Sequence, residues 1–331
     1  MELYFLSVGY GEAIVLLDGD KCMVMDGGPG ADSAAYQQPG TIRLADFLHE
    51  KGVCQIDLMI CTHLHDDHIS GLADAAEQFP VREFWVNCWP QCDVGTAIEA
   101  ALPECPYDLS LRLFTTGLQN LVRLRRALTA QGTRIRERTA AEAFEPLLNG
   151  CRIRLFGMDE ARMNARRAQF EAFCAENDPA AQRDAMRLFD RDENSCSLAC
   201  CLELGSWKAL LTGDLCVGWD ERTAQPGFPQ AELLKITHHG QRDGMPQSLV
   251  EACDPSVFLM CADAARTFNS ACDAVQQRAR TYLSEHGRTE HVYTTGLLAD
   301  TFGVQDGAMP CALCCSDRDG LRCTPFYAAA H

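Results

Sequence analysis

The pattern of elements in the sequence predicts an α/β fold of two halves, interrupted by a mostly helical insertion. Three observations carry this expectation. Short apolar runs alternate with helical spacing from Met1 to about Asn87. A long arginine-rich middle has helical composition. Strand-like runs then return from Ser197 onward.

The elements follow in order. Leu3 to Leu6 reads as a first strand running into the Gly9-Tyr10-Gly11 turn. Ala13 to Leu17 pairs with Cys22 to Met25 across Asp18-Gly19-Asp20, with Asp-Gly as the hairpin signal. Asp26-Gly27-Gly28-Pro29-Gly30 must be loop, because glycine and proline break any regular element there. Ile42 to Glu50 has helical apolar spacing. Leu58 to Cys61 is a buried strand that stops at Thr62, Gly71 to Gln78 a helix, and Glu83 to Asn87 a strand. Leu111 to Ala130 and Glu160 to Phe189 are helical in composition, with the strand-like Arg152 to Phe156 between them. Ser197 to Leu204 and Trp207 to Leu211 form another antiparallel pair. Strand and helix then alternate through Leu233–Thr237, Gln247–Ala252, Val257–Cys261, Ala274–Glu285 and His291–Tyr293. The expected organisation is one domain over 1–331, with the insertion at 111–190.

At 331 residues and 47% hydrophobic content the chain can bury a large core. No stretch approaches the roughly 20 apolar residues of a membrane span, and Met1 to Val8 reads as a strand rather than a secretory signal. A cytoplasmic protein is the expectation. The nineteen cysteines are scattered among apolar neighbours, which favours reduced, buried side chains acting as small hydrophobes. Cys311-x-x-Cys314-Cys315 with Cys323 has spacing that could suit a structural zinc. Ser316 to Gly320 between the two halves looks like a hairpin turn, however, so packing along two strands is the preferred reading.

The net charge of −17 disfavours long duplex nucleic acid as a partner. From Arg112 to Arg191, by contrast, fifteen arginines face ten Asp and Glu, with no lysine. Either these are solvated helix faces with paired charges, or they form a cationic lid, with Arg166 and Arg167 as candidate contacts to an anionic substrate.

Chemistry concentrates in Thr62-His63-Leu64-His65-Asp66-Asp67-His68. Three histidines and a carboxylate directly after a buried strand form a dense set of metal ligands. His63 and His65, two apart, can face one way on an extended loop. Asp67 and His68 can face a second ion about 3.5–4 Å away. Leu210 to Asp214 is an apolar strand ending in a carboxylate, and Leu233 to Gly240 another ending in His238-His239. Strand ends converge at one edge of a sheet, where such groups meet.

With these motifs the sequence resembles the metallo-β-lactamase superfamily, which carries His-x-His-x-Asp-His, a later Asp after Thr-Gly and a terminal histidine. The finer resemblance is to its competence-protein (ComEC-type) branch. It rests on Phe5 to Ala13, Met25-Asp26-Gly27-Gly28, Asn194 to Leu198, Leu211 to Asp214 and Leu234 to Gly240. The resemblance covers Met1 to about Asn87 and Asn194 to the end, and it implies an αββα sandwich. It also implies His63 and His65 on one metal, Asp67 and His68 on the other, Asp214 bridging, and Asp26 supporting the loop. Of the terminal pair His238, first after the strand, is the favoured ligand. His239 would be a neighbour or substrate contact, with the reverse left open.

The sequence departs from that pattern in three places. No histidine lies between His68 and His238, and Asn194 stands near the expected place of the missing first-metal ligand. An amide oxygen there favours manganese beside zinc. Glu12 replaces the usual Asp. The downstream Asn-x-x-x-His-Pro segment is reduced to Phe268-Asn269-Ser270. The expected activity is metal-dependent hydrolysis by a metal-activated hydroxide with Asp67 handling its proton, on two divalent ions, Zn or Mn. The expected substrate is a small anionic phosphoester: a nucleotide, a short single strand or a phosphorylated small molecule. A lactone or ester hydrolase on the same metals is the alternative enzyme, and a binding domain that keeps the fold is the non-catalytic alternative.

Overall fold

The computed structural model describes residues 1–101, 108–317 and 321–328. Its strands are β1 (Glu2–Leu6), β2 (Ala13–Asp18), β3 (Lys21–Gly27), β4 (Leu58–Cys61), β5 (Glu83–Val86), β6 (Arg134–Glu137), β7 (Glu145–Pro146), β8 (Arg152–Phe156), β9 (Ala199–Leu204), β10 (Trp207–Leu211), β11 (Leu233–Lys235), β12 (Val257–Met260), β13 (Val292–Thr294), β14 (Ala312–Asp317) and β15 (Leu321–Phe326). The helices are α1 (Leu44–Glu50), α2 (Asp66–Ala76), α3 (Val94–Ala101), α4 (Leu109–Gln131), α5 (Glu160–Ala175), α6 (Pro179–Glu193), α7 (Trp219–Thr223), α8 (Gln247–Cys253), α9 (Asp273–Glu285) and α10 (Leu298–Phe302).

One sheet runs in the order β15-β14-β1-β2-β3-β4-β5-β6 and the other β13-β12-β11-β10-β9-β8-β7. Strand periodicity explains how they stack. Leu3 and Phe5 of β1 point into the core shared with Leu202, Ala209, Leu211 and Leu259 of the second sheet. Tyr4 and Leu6, one residue out of phase, join a separate core with α1, α2 and α4. Likewise Leu210, Phe258 and Met260 face α8 and α9. The layers are therefore helix, sheet, sheet, helix, and the central strands are apolar on both faces, as strands covered twice must be.

β3–β4–β5–β6 and β10–β11–β12–β13 are parallel ladders. Their carboxyl ends carry Asp26, Thr62-His63, Thr212-Gly213-Asp214 and His238-His239. Two glycines let the layers close around these ends. A Cβ on Gly71 of α2 would lie 1.9 Å from the Gly27 carbonyl oxygen, and one on Gly117 of α4 would lie 2.1 Å from the Leu64 carbonyl oxygen. Only glycine permits α2 to press on β3 and α4 to press on the histidine loop.

Several boundaries differ from expectation for identifiable reasons. α2 begins at Asp66, five residues before the expected Gly71, so Asp67 and His68 lie in its first helical turn, where carboxylates complement the helix dipole. The single helical stretch expected over Glu160 to Phe189 is two helices, because Asp178 caps a new N-terminus with Pro179 in its first turn. The stretch 111–190 also contributes β6 to the edge of one sheet and β7–β8 to the edge of the other. Its helical parts are α4 and the α5–α6 pair.

Every described cysteine is free. β14 and β15 pair antiparallel with Cys315 opposite Cys323. Cys314 faces the helix-side core while Cys315 faces the core between the sheets, so the two cannot converge on one zinc. The turn residues Arg318, Asp319 and Gly320 lie outside the described residues. Among those described, no helix is long and apolar enough to cross a membrane.

Candidate metal centre

Donor atoms gather where the parallel strands end. His63 Nε2 lies 3.1 Å from His65 Nδ1. His68 Nε2 lies 3.2 Å from His239 Nε2, which is itself 3.2 Å from Asp67 Oδ2. Asp214 Oδ2 stands between these groups, 3.8 Å from His63 Nε2, 3.5 Å from His68 Nε2 and 3.3 Å from His239 Nε2. The result is two triads, His63/His65/Asp214 and Asp67/His68/His239, each with donor atoms within 4.8 Å of one another. Asp214 is shared in position by both.

Each ring turns one nitrogen toward this cluster and fastens the other. His63 Nδ1 meets the Thr62 hydroxyl at 2.9 Å, and His65 Nε2 lies 3.3 Å from Asp190. His68 Nδ1 meets Asp26 at 2.7 Å, and His239 Nδ1 donates to the Cys261 carbonyl at 2.8 Å. This anchoring is characteristic of metal-binding histidines, because it fixes tautomer and ring orientation. Asp26 also accepts from the Thr62 amide at 2.8 Å and the Thr62 hydroxyl at 2.6 Å, and so ties the strand end to α2. It does this from a left-handed backbone conformation, φ 57°.

The electrostatics are those of anionic donors held away from water. Burial works against the charge of Asp67 and Asp214, yet His68 and His239 hold both well below the usual carboxylate range. Burial, followed by His68 and His65, pushes His63 well below the usual imidazole value, so its ring is a neutral donor. His68 is raised against burial by Asp214, Asp67 and Asp26. Asp214 Oδ1 is buried without a hydrogen-bond partner. A neutral His63, ionised carboxylates and an unsatisfied buried oxygen fit two divalent ions of the zinc or manganese kind, and His68 and His239, held protonated by the carboxylates, would release their protons to an ion.

The structure brings His63, His65, Asp67, His68 and Asp214 together, and it separates His238 from them. β11 ends at Lys235 rather than Thr237, and His238 and His239 both take left-handed conformations, φ 47° and 52°. Strand alternation is broken there, so His239 enters the cluster and His238 turns to Asp243, at 3.1 Å. The structure thus places His239 in the donor cluster, where the sequence favours His238. Asn194 does not join the His63/His65 triad either; its amide nitrogen lies 3.1 Å from His238 Nε2.

Sequence reasoning missed several supporting groups. Asp190 faces His65. Glu193 accepts the Leu64 amide at 2.8 Å, and Asn87 donates to the Thr62 carbonyl at 3.3 Å. Glu12 and Lys235, both fully buried, pair beneath Asp214. Nothing in the linear pattern ties these groups to the histidine loop, except that a lysine inside an apolar strand demands a partner.

The arginine expectation also needs correction. Arg166 is buried, paired with Glu193 and stacked over Phe189, 4.6 Å from the ring centre. Arg167 pairs with Glu137 at 2.8 Å, and Arg123 with Glu77 and Asp74. Neither Arg166 nor Arg167 lines the cleft over the metal cluster, a cavity of about 490 Å³ whose one arginine among the described residues is Arg191. Arg166→Met is accordingly expected to destabilise the fold by about 3 kcal/mol, since it strands the Glu193 carboxylate. The value sits at the low end because the Leu64 amide still serves that carboxylate. Denaturant melts with unchanged Michaelis constants would bear this out; a raised Michaelis constant at full stability would return Arg166 to the substrate site.

Residues 6–87 match the Metallo-beta-lactamase superfamily. Among solved structures, human tRNase Z, short form, is 15% identical with a TM-score of 0.41, covering 79% of this chain and 92% of that one. CmlA, a diiron beta-hydroxylase from Streptomyces venezuelae, is 10% identical with a TM-score of 0.44, covering 88% of this chain and 52% of that one. Zinc-bound PqqB from Methylobacterium extorquens is 13% identical with a TM-score of 0.36, covering 75% and 76%. No curated protein sequence matches.

Proposed function

We propose that this chain is a two-metal hydrolase of small phosphoesters. The observation that carries the reading is the pair of adjacent donor triads with Asp214 between them. His63, His65 and Asp214 would hold one ion and Asp67, His68 and His239 the other. Two such ions lower the pKa of an attacking water and neutralise charge that develops on the attacked group.

The chain's own residues supply the rest. Asp67, ionised and partly open to the cleft, stands where it can accept the proton of the water. Asp26, Asp190 and the Cys261 carbonyl keep the rings oriented. Tyr10 and Phe268, whose rings meet edge to face at 5.7 Å, form an aromatic wall of the cleft, backed by the buried Phe114. This wall suits stacking of a base or aryl group. Arg191, exposed on the rim and 3.4 Å from Asp192 Oδ1, is a cation available to a substrate phosphate. The apolar side chains Leu109 and Leu113 on the same cleft support the second reading, an ester or lactone hydrolase. The finer likeness to the competence-protein branch, one domain over the whole chain and a cytoplasmic setting accord with either reading.

The discriminating experiment offers metal-reconstituted protein a bis-aryl phosphodiester, a nucleotide and an aryl lactone. The phosphoesters should turn over and the lactone should not; the reverse would replace the first reading with the second. Arg191→Gln should raise the Michaelis constant for the phosphoester roughly tenfold at low salt with little change in turnover. The effect should fade as salt rises, because an exposed charge is screened. A salt-independent result would remove Arg191 from substrate binding.

A further inference from the structure

Behind the turn that sends His239 into the cluster lies a second group of donors that two-metal hydrolysis does not use. Cys216 Sγ, a His238 ring nitrogen and an Asp243 carboxylate oxygen lie within 4.8 Å of one another. His238 Nδ1 is 3.1 and 3.3 Å from the two Asp243 oxygens, and Cys216 Sγ is 3.2 Å from the Thr237 hydroxyl. All three donors come from the loops that follow β10 and β11, so the same strand ends that present Asp214 and His239 present this group as well.

Asn194 completes the arrangement. Its amide nitrogen lies 3.1 Å from His238 Nε2, while its Oδ1 is buried without a partner. The two ends of an amide are nearly equal in size. Turned about its last bond, Asn194 places Oδ1 against His238 and accepts the Nε2 proton, while its NH2 takes the buried position that Oδ1 leaves. Nδ1 then keeps its lone pair for Cys216 and Asp243. The four histidines of the neighbouring cluster are set in the same way, one nitrogen fastened and the other free for an ion. The consecutive left-handed residues His238 and His239 have ring centres 6.3 Å apart and serve the two clusters separately.

We propose that Cys216, His238 and Asp243 form a third, mononuclear site for a thiophilic divalent ion, zinc, at the rim of the cleft. Sulfur, imidazole and carboxylate make a zinc donor set. Bond lengths of roughly 2.0–2.3 Å need donor atoms about 3.3–3.8 Å apart, so the cluster closes onto an ion with movement of about an ångström. Asp243 is exposed and Cys216 half-buried, which lets the ion enter from solvent. Once held, it pins the 238–243 loop and with it the orientation of His239. Asn194 is then a positioning residue for His238, which accounts for an amide where a ligand histidine was expected. The alternative is a plain His238–Asp243 ion pair that fastens the loop with no metal.

Cobalt(II) added stepwise to chelator-stripped protein separates the two. The double-triad cluster has only nitrogen and oxygen donors, so it yields visible ligand-field bands alone. A thiolate ligand adds a near-ultraviolet sulfur-to-cobalt charge-transfer band. Wild type should develop that band in the course of the titration, saturating at one thiolate-bound cobalt per chain. Cys216→Ser should lose it and keep the visible bands. Asp243→Asn, at an exposed position that leaves folding intact, should weaken cobalt binding at the charge-transfer site by about tenfold or more. Absence of the band in wild type would overturn the third site. An equally strong band in Cys216→Ser would overturn it too, because other thiols would then be its source. Visible bands that survive undiminished when a double-triad ligand is removed, with the charge-transfer band intact, would count against the two-metal reading and leave this one standing.

Discussion

Asp214→Ala is expected to abolish the proposed phosphoester hydrolysis, by about 10³-fold or more, while the protein still melts cooperatively. Among the described residues, Asp214 is the one carboxylate within 4 Å of His63, His68 and His239 together. Its removal takes a donor from both triads, and two-metal chemistry depends on both ions acting across one substrate. His65→Ala should do the same through one triad, because that triad then keeps only His63 and the shared carboxylate. Removing a single preorganised transition-state stabiliser already costs about 10²–10³ in turnover, and loss of an ion removes more. The measurement is turnover with saturating metal, beside metal content by elemental analysis. Counted in a Cys216→Ser background, so that the third site does not contribute, metal content should fall from near two ions toward one for His65→Ala and further for Asp214→Ala. Full turnover in either variant after metal stripping would end the metal assignment. Unchanged metal content with lost turnover would move Asp214 from ligand to proton handling.

How far this site is legible in the sequence depends on whether a residue obeys a period or a contact. The histidine loop was legible because four donors fall within six residues after an apolar strand. The αββα layering was expected from the resemblance to the metallo-β-lactamase superfamily, while the apolar runs and helical spacing alone predicted an α/β fold of two halves. His239 was not legible. Choosing between two adjacent histidines needs the backbone direction past β11, and two consecutive left-handed residues turn the chain so that standing first after the strand no longer decides. The arginines misled for a different reason. Arg166 and Glu193 lie 27 residues apart on α5 and α6 and bury together with Phe170 and Phe189. A local excess of charge says nothing about which members of it pair across a helix interface. Asp190 and Asn87 reach the loop from distant elements by single hydrogen bonds or ion pairs, and such contacts leave no trace in spacing.

Lys235→Met is expected to be the most destabilising single change outside the metal ligands, costing about 5 kcal/mol near neutral pH. Lys235 and Glu12 have no exposed surface, and the lysine also donates to the Gly213 carbonyl at 2.9 Å. Removing one partner of a buried pair typically costs about 3–5 kcal/mol, because the other charge is left without compensation. The upper end applies here because Asp214 Oδ1, 3.8 Å from the ammonium, loses the same neighbour. The penalty should depend on pH, with a definite sign. Burial disfavours the ammonium, but Glu12 and Asp214 hold Lys235 above the usual lysine range, so in wild type the lysine stays charged across ordinary pH. Burial raises Glu12 above its usual 4.5 even with the lysine present. Without the lysine it rises further. A carboxyl raised in the folded state stabilises the fold while it is protonated, and that contribution is lost as pH climbs through the folded value. The stability deficit of Lys235→Met should therefore be smaller at about pH 5 than at about pH 8. Urea melts at both values give the comparison. The double variant Glu12→Gln/Lys235→Met should recover much of the loss, since a neutral pair of similar volume carries no stranded charge. A deficit that is equal at both pH values, or unrelieved in the double variant, would mean that Lys235 acts through packing against the strand ends and not through its charge.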